Sequence, residues 1–232
     1  MTHLLTGAGS GIGAALARVL LDRGDELVLL ARSEERAAEL AAAYDGSRTL
    51  VADLADPPAL ERALATAALP DRLDSLVHAA GVVDLSPVEG LDLAAWQHQL
   101  DVNLTAPMLV TRACLPALRA ARGTVVFVNS GSGLRANPTW AAYAASKFGL
   151  RALADALRLE EEPRGVRVTG VHPGRVSTPM QERVHAQEGK EYDAGAWSDP
   201  VTVADSIRHV LDLSRDSTVP ELVLRPGPGT GD

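Results

Sequence analysis

Tyr143 and Lys147, spaced Tyr-x-x-x-Lys in a helical stretch, are the side chains whose types and separation could move a proton. Residues four apart project from one helix face, so a phenol and an ammonium can meet there. A free tyrosine has a pKa of about 10, and only roughly one part in a thousand is phenolate at neutral pH. A nearby cation favours the charged form, and a fall of two units corresponds to about 2.7 kcal/mol. The spacing therefore predicts a phenol tuned by Lys147 to serve as acid or base nearer physiological pH. Alone, such a pair is common by chance and is usually a surface contact. Ser130 closes the apolar run Thr124–Asn129, where its hydroxyl could bond and polarise a carbonyl. Ser132 is a nearby but weaker alternative.

A second constellation could hold a dinucleotide. Thr6-Gly7-Ala8-Gly9-Ser10-Gly11-Ile12-Gly13 follows a first strand and opens a first helix. Glycine permits a tight turn and close backbone approach, and a helix N-terminus offers free N–H groups to a pyrophosphate. The spacing departs from G-x-G-x-x-G, with Gly7, Gly11 and Gly13 as the key glycines. An acidic residue at the end of the second strand would hold the adenosine ribose 2′-OH, whereas an arginine accommodates a 2′-phosphate. Ala31 occupies that position, followed by Arg32 and Ser33. The charge predicts NADP(H) in preference to NAD(H), which stays possible. After the third strand, Asp53 could accept from the adenine amino group with Leu54 packed near the ring; the competing reading of Asp53 is a helix N-cap region.

These residues need elements to position them. Short apolar runs at Leu4–Thr6, Glu26–Ala31, Arg48–Ala52, Ser75–Ala79, Thr124–Asn129, Val166–Val171 and Glu221–Leu224 read as strands. Between them lie amphipathic stretches, such as Ile12, Leu16, Val19 and Leu20, or Ala37, Leu40 and Ala41. Apolar strands alternating with helices predict an α/β protein, a Rossmann-type doubly wound parallel sheet of about seven strands with helices on both faces. One domain is expected over residues 1–225, with a flexible tail at 226–232. Residues 179–199 lack a clean period and carry Tyr192 and Trp197. They are read as a substrate lid, against the plainer reading of a surface excursion.

Composition narrows the function classes. The 232 residues carry 22 basic and 30 acidic side chains, a net charge of −8. An acidic surface argues against nucleic acid and anionic membrane as partners. The single cysteine, Cys114, sits in an apolar stretch and reads as a buried structural thiol. The N-terminus lacks a basic, apolar leader, which predicts a cytoplasmic protein. No metal ion is expected.

Taken as a set, the residues resemble the short-chain dehydrogenase/reductase family over nearly the whole chain. The elements appear in order: Thr6-Gly7-x-x-x-Gly11-x-Gly13, Asp53, Ala80-Gly81, Asn103, Ser130, Tyr143-x-x-x-Lys147 and Pro173-Gly174. The resemblance implies Tyr143 as general acid in reduction and base in oxidation, with Ser130 orienting the carbonyl. It implies Lys147 as tuner of Tyr143 and ligand of the nicotinamide ribose, and Asn103 as holder of a relay water. Asn103 could instead be a helix-bending residue that bonds only backbone. Val176 and Thr178 match the segment that contacts the nicotinamide carboxamide. Two departures stand out. The family's Asn-Asn-Ala-Gly is His78-Ala79-Ala80-Gly81 here, and the basic residue that many NADP-preferring members carry before the second motif glycine is Ser10. His78 is expected to be a packed strand-end residue.

The implied activity is an NADPH-dependent carbonyl reductase or alcohol dehydrogenase acting on a small, mostly apolar ketone, aldehyde or secondary alcohol. A catalytically silent NADP(H)-sensing protein on the same fold is the alternative. Substrate is expected between the Tyr143 helix and 179–199, near Leu134, Trp140, Met180 and Trp197. Family resemblance further implies a homodimer or homotetramer through helices around 107–121 and 138–161.

Overall fold

The computed structural model describes residues 1–227; the expected tail beyond Gly227 lies outside the described residues. Seven parallel strands form one sheet in the order β3-β2-β1-β4-β5-β6-β7. They are β1 Thr2–Thr6, β2 Glu26–Ala31, β3 Arg48–Val51, β4 Ser75–His78, β5 Thr124–Val128, β6 Arg167–Pro173 and β7 Glu221–Leu224. The helices are α1 Gly11–Asp22, α2 Glu34–Ala43, α3 Pro57–Thr66, α4 Leu93–Leu100, α5 Ala106–Ala121, α6 Ala141–Glu161, α7 Pro179–Glu188 and α8 Pro200–Asp212.

Strand side chains alternate between faces, and here both faces are covered, which is why the strands read as apolar runs. In β5, Val125 and Phe127 pack with α3, α5 and α6, while Val126 and Val128 pack with α1, α2 and α8. The same alternation holds in β2, where Val28 and Leu30 face one cluster and Leu27 and Leu29 the other. Cys114 is buried in the first cluster, and burial pushes its thiol up to about 12. It is a packing residue, not a nucleophile. His78 is likewise packed: its ring stacks on Phe127 and bonds Thr111 Oγ1 at 2.8 Å, and burial holds its pKa down near about 3.

The strand order reverses between β1 and β4, and in an open α/β sheet the crevice at the carboxyl ends there is where ligands bind. β3, β4 and β5 each stop one residue sooner than expected, so Ala52, Ala79 and Asn129 turn off the sheet into that crevice. The expected irregular segment 179–199 is half helical. Thr178 caps α7 by accepting from Gln181 N–H at 3.2 Å. That helix buries Gln181, Val184 and His185; because two of the three are polar, its sequence shows no apolar period. No helix among the described residues is long and apolar enough to cross a membrane.

Candidate active site

A cavity of about 840 Å³ opens at the switch point. Its floor is the turn between β1 and α1. Gly7 has φ +77°, and a Cβ there would meet Ala80 N at 2.5 Å. Gly13 lies beneath the turn rather than on the cavity wall; its missing Cβ would sit 2.2 Å from Gly7 O. Thr178 packs against Gly11, which brings 176–178 onto the same turn. Ser10 stands at the N-cap of α1 but its hydroxyl does not cap, whereas Ser33 and Asp56 cap α2 and α3 with their side chains. The first-turn N–H groups of α1 are thus left without a side-chain acceptor, the arrangement that receives an anion.

At the far end of the floor, Arg32, Ser33, Asp53 and Leu54 line the cavity. Asp53 accepts from Ala55 N–H at 2.9 Å, and the N-cap of α3 is Asp56. Arg36, not anticipated from sequence, also lines this end. Its guanidinium donates to Gly9 O at 3.0 Å and pairs with Glu39. The available signal was its place in the first turn of α2, four residues beyond Arg32 and just after the end of β2.

The opposite end holds Tyr143, Lys147 and Ser130, all on the cavity wall. Lys147 Nζ donates to Val128 O at 3.1 Å and lies 5.6 Å from the centre of the Tyr143 ring. Ser130 Oγ accepts from Ser132 N–H at 3.0 Å, so its own proton is free to be donated elsewhere. Asn129 fixes both partners, donating to Lys147 O at 3.0 Å and accepting from Ser130 N–H at 2.9 Å. A buried amide at a strand end next to a candidate serine was the missed sequence signal.

Asn103 occupies a π-turn, Asp101–Thr105, between α4 and α5. Its Nδ2 donates to Val82 O at 2.8 Å and Ser146 Oγ at 3.0 Å, and Oδ1 accepts from Val82 N–H at 2.9 Å. Only one lone pair of Oδ1 is left for a water. The side chain chiefly braces the loop after β4. Gly81 separates it from the lysine: a Cβ there would lie 3.2 Å from Asn103 Oδ1 and 3.7 Å from Lys147 Nζ.

The protonation pattern corrects one expectation. The Tyr143 phenol is not lowered; burial raises it, and a hydrogen bond from Ser130 only partly offsets this. Burial also brings Lys147 down to about 8. With Tyr143 and Lys147 buried to 7% and 3% exposure, desolvation disfavours the charged form of each. A protonated phenol is the form that can donate. The sign of the lysine shift has a consequence for stability. Between about pH 8 and 10.5 the unfolded chain holds the lysine proton that the folded chain has released, so Lys147 makes stability rise with pH there. The urea midpoint of wild type relative to Lys147→Met should climb across this window; a constant difference would contradict the burial argument. Cys114 acts oppositely above pH 9.0 and cancels in that comparison.

Of the residues expected near substrate, Trp140 and Met180 line the cavity and Leu134 and Trp197 do not. The Trp197 ring lies 5.4 Å from His185 and under the Arg175 guanidinium, which also bonds Glu188. It is the core of the 179–199 segment itself. Pro173, Gly174 and Val176 line the cavity as expected, as do Ala80 and Gly81.

Comparison with known proteins gives a consistent picture. Residues 2–189 match the family described as short chain dehydrogenase. A 3-alpha-(or 20-beta)-hydroxysteroid dehydrogenase from Mycobacterium tuberculosis is 33% identical over 235 residues, covering 98% of this chain and 89% of that protein. A trans-4-hydroxycyclohexanecarboxylate dehydrogenase from Sinomonas cyclohexanicum is 32% identical over 190 residues, covering 76% and 73%. Among solved structures, an alcohol dehydrogenase from Thermococcus sibiricus complexed with 5-hydroxy-NADP is similar at a TM-score of 0.82 and 27% identity, covering 97% of this chain and 96% of that one.

Proposed function

The chain belongs to the short-chain dehydrogenase family of oxidoreductases, and on that premise we propose that it interconverts a cyclic secondary alcohol and its ketone with NADP(H). The observation that carries the reading is the placement of Tyr143, Ser130 and Lys147 on the wall of the cavity floored by the glycine turn. The dinucleotide fits that floor because Gly7 and Gly13 let the turn pack tightly on the backbone beneath it and α1 leaves its N-terminal donors uncapped.

In reduction, Tyr143 donates its phenolic proton to the carbonyl oxygen; in oxidation it takes the proton back. Ser130 donates to the same oxygen, its acceptor side being held by Ser132 N–H. Lys147 spends one donor on Val128 O and offers the others to the ribose hydroxyls. Asn103 holds the loop that carries Ala80 and Gly81. Val176 and Thr178 are assigned to the carboxamide, with Pro173 and Gly174 shaping that wall. The nicotinamide supplies or accepts the hydride, chemistry that belongs to the cofactor. The alcohol class follows the two dehydrogenase relatives, which are named for ring-bearing hydroxyl compounds. Met180 and Trp140 give the substrate end apolar walls. Residues 179–199 act as its lid, and the working unit is a cytoplasmic homodimer or homotetramer.

The preference for NADP(H) rests on Ala31 where an acid would sit and on Arg32 and Arg36 beside Ser33. A hydrogen bond to a charged group contributes about 1.5–3 kcal/mol. Arg32→Ala with Arg36→Ala should therefore weaken NADPH binding by about ten-fold or more and leave NADH binding nearly unchanged. Tighter NADH than NADPH binding by wild type would reverse the assignment. A panel of cyclohexanols, cyclohexanones and hydroxysteroids, followed by absorbance of the reduced cofactor, tests the activity. Turnover with ring compounds and NADP(H) is expected; none with either cofactor would refute it.

A further inference from the structure

Thr139 has φ +68°. For a β-branched residue this left-handed backbone is a steric outlier, because Cβ crowds the following carbonyl oxygen. Among the described residues the other non-glycine position with positive φ is Arg122, at 52°, which closes the C-terminus of α5. Such a helix end commonly adopts this conformation. Thr139 has no such role, since it precedes a helix, and it is solvent-exposed. Strain of this kind persists where surrounding bonds over-determine it, and it collects at functional sites.

The surrounding bonds are visible. Ser86 N–H donates to Thr139 O at 2.9 Å, and Ser86 and Trp140 form an isolated parallel bridge. Trp140 N–H donates to Asn137 O at 3.2 Å, and Trp140 O accepts from Ala144 N–H at 2.8 Å in the first turn of α6. The Ser86 loop is itself anchored across the mouth of the cavity. Gln187 of α7 donates to Asp84 Oδ1 at 2.6 Å and accepts from Leu85 N–H at 3.1 Å. What the strained residue delivers is the next side chain. The Trp140 ring lines the cavity and meets the Tyr143 ring edge-on, 5.6 Å between centres at 70°.

We propose that Thr139, held left-handed by Ser86, positions the Trp140 ring as a fixed wall beside the Tyr143 phenol, selecting substrates whose carbonyl is borne on a flat or ring-shaped apolar body. This rests on the reading of Tyr143 as the reacting phenol. Thr139 is a positioning residue and touches nothing that reacts. Edge-on aromatic contact is directional and worth more than its buried area alone, so a ring held at a fixed angle discriminates shape as well as size.

The test compares Thr139→Gly with Thr139→Ala in a chain where Trp96→Phe and Trp197→Phe leave Trp140 as the fluorophore. Glycine adopts positive φ without strain, so Thr139→Gly should raise Tm by about 2–4 °C. Glycine also reaches the other backbone regions freely, so residue 139 is confined by the Ser86 bond alone and, despite that gain, acrylamide quenching of Trp140 should increase. KM for a ring ketone should rise about two- to ten-fold, with KM for acetone and the Kd for NADPH unchanged. Thr139→Ala keeps a Cβ in the strained region and should stay near the parent in quenching. Unchanged quenching in Thr139→Gly, or a fall in Tm, would overturn the proposal even if the parent reduces ketones. A parent that turns over no ketone, while quenching and Tm respond as stated, would instead overturn the reading of Tyr143 and leave the positioning role standing.

Discussion

Tyr143→Phe is expected to lower turnover by about 10²–10⁴-fold, the range by which a positioned proton donor contributes, while NADPH binding stays within two-fold (about 0.4 kcal/mol) of wild type. The change deletes one oxygen and keeps the ring. Phenylalanine still fills the buried site, still meets Trp140 edge-on, and still lies 5.6 Å from Lys147 Nζ. The bond from Ser146 Oγ to the residue 143 carbonyl is made by backbone and survives. Stability therefore changes little. What is missing is the proton that must reach the substrate oxygen, together with the phenol's hydrogen bond to Ser130, and Ser130 alone cannot replace that proton. Initial rates with a ring ketone, beside NADPH titration by fluorescence, check both halves. Turnover within a few-fold of wild type would mean that another group donates the proton.

Gly13→Ala is the second large effect and acts on the cofactor floor. The added Cβ would stand 2.2 Å from Gly7 O and 2.7 Å from Gly7 C, both main-chain atoms. Gly7 cannot yield easily, because it is pressed in turn against the backbone of Ala79 and Ala80, where β4 leaves the sheet. The start of α1 must move away from the turn, and its open N–H groups move with it. Overpacking of this kind costs about 1–3 kcal/mol, which corresponds to a fall in Tm of about 2–12 °C. Weaker NADPH binding, by about ten-fold or more, should accompany it because the donors lose alignment. Gly46→Ala is the matched control. Its φ is +80° but a Cβ there meets nothing within 4 Å, so it strains the backbone and leaves the floor alone. It should cost stability without changing the NADPH Kd. Equal Kd values for the two variants would contradict the account of the turn.

The sheet was legible because each strand alternates between two buried faces, which turns the sequence into short apolar runs separated by helical periods. Strand ends were read within two residues; β3, β4 and β5 were read one residue too far where the backbone leaves the sheet for the cavity, while β1 starts two residues earlier and β6 runs two residues further than the apolar runs suggested. The glycine turn, Ser130, Tyr143 and Lys147 were legible because their chemistry demands particular residue types at particular places on such a sheet. α7 was not, since Gln181 and His185 are buried through hydrogen bonds to each other rather than through apolar surface. Trp197 misled for a related reason: an aromatic in an irregular segment reads alike whether it faces a cavity or, as here, packs on His185 and Arg175. The direction of the Tyr143 shift depends on burial, which spacing does not report. Thr139 carries no sequence signal at all: its positive φ is a backbone property, and the Ser86 N–H that bonds its carbonyl lies more than fifty residues away along the chain.

Following the hydrogen tests most directly whether the Tyr143 cavity hands a hydride between a nicotinamide and a carbon bearing oxygen. Wild-type protein is incubated with a ring ketone and NADPH carrying deuterium on one face of C4, and the product alcohol is isolated. Deuterium is expected on the carbinol carbon from one of the two faces, and essentially no product from Tyr143→Phe. Consumption of NADPH without deuterium in the alcohol, or labelled alcohol formed equally well by Tyr143→Phe, would contradict it.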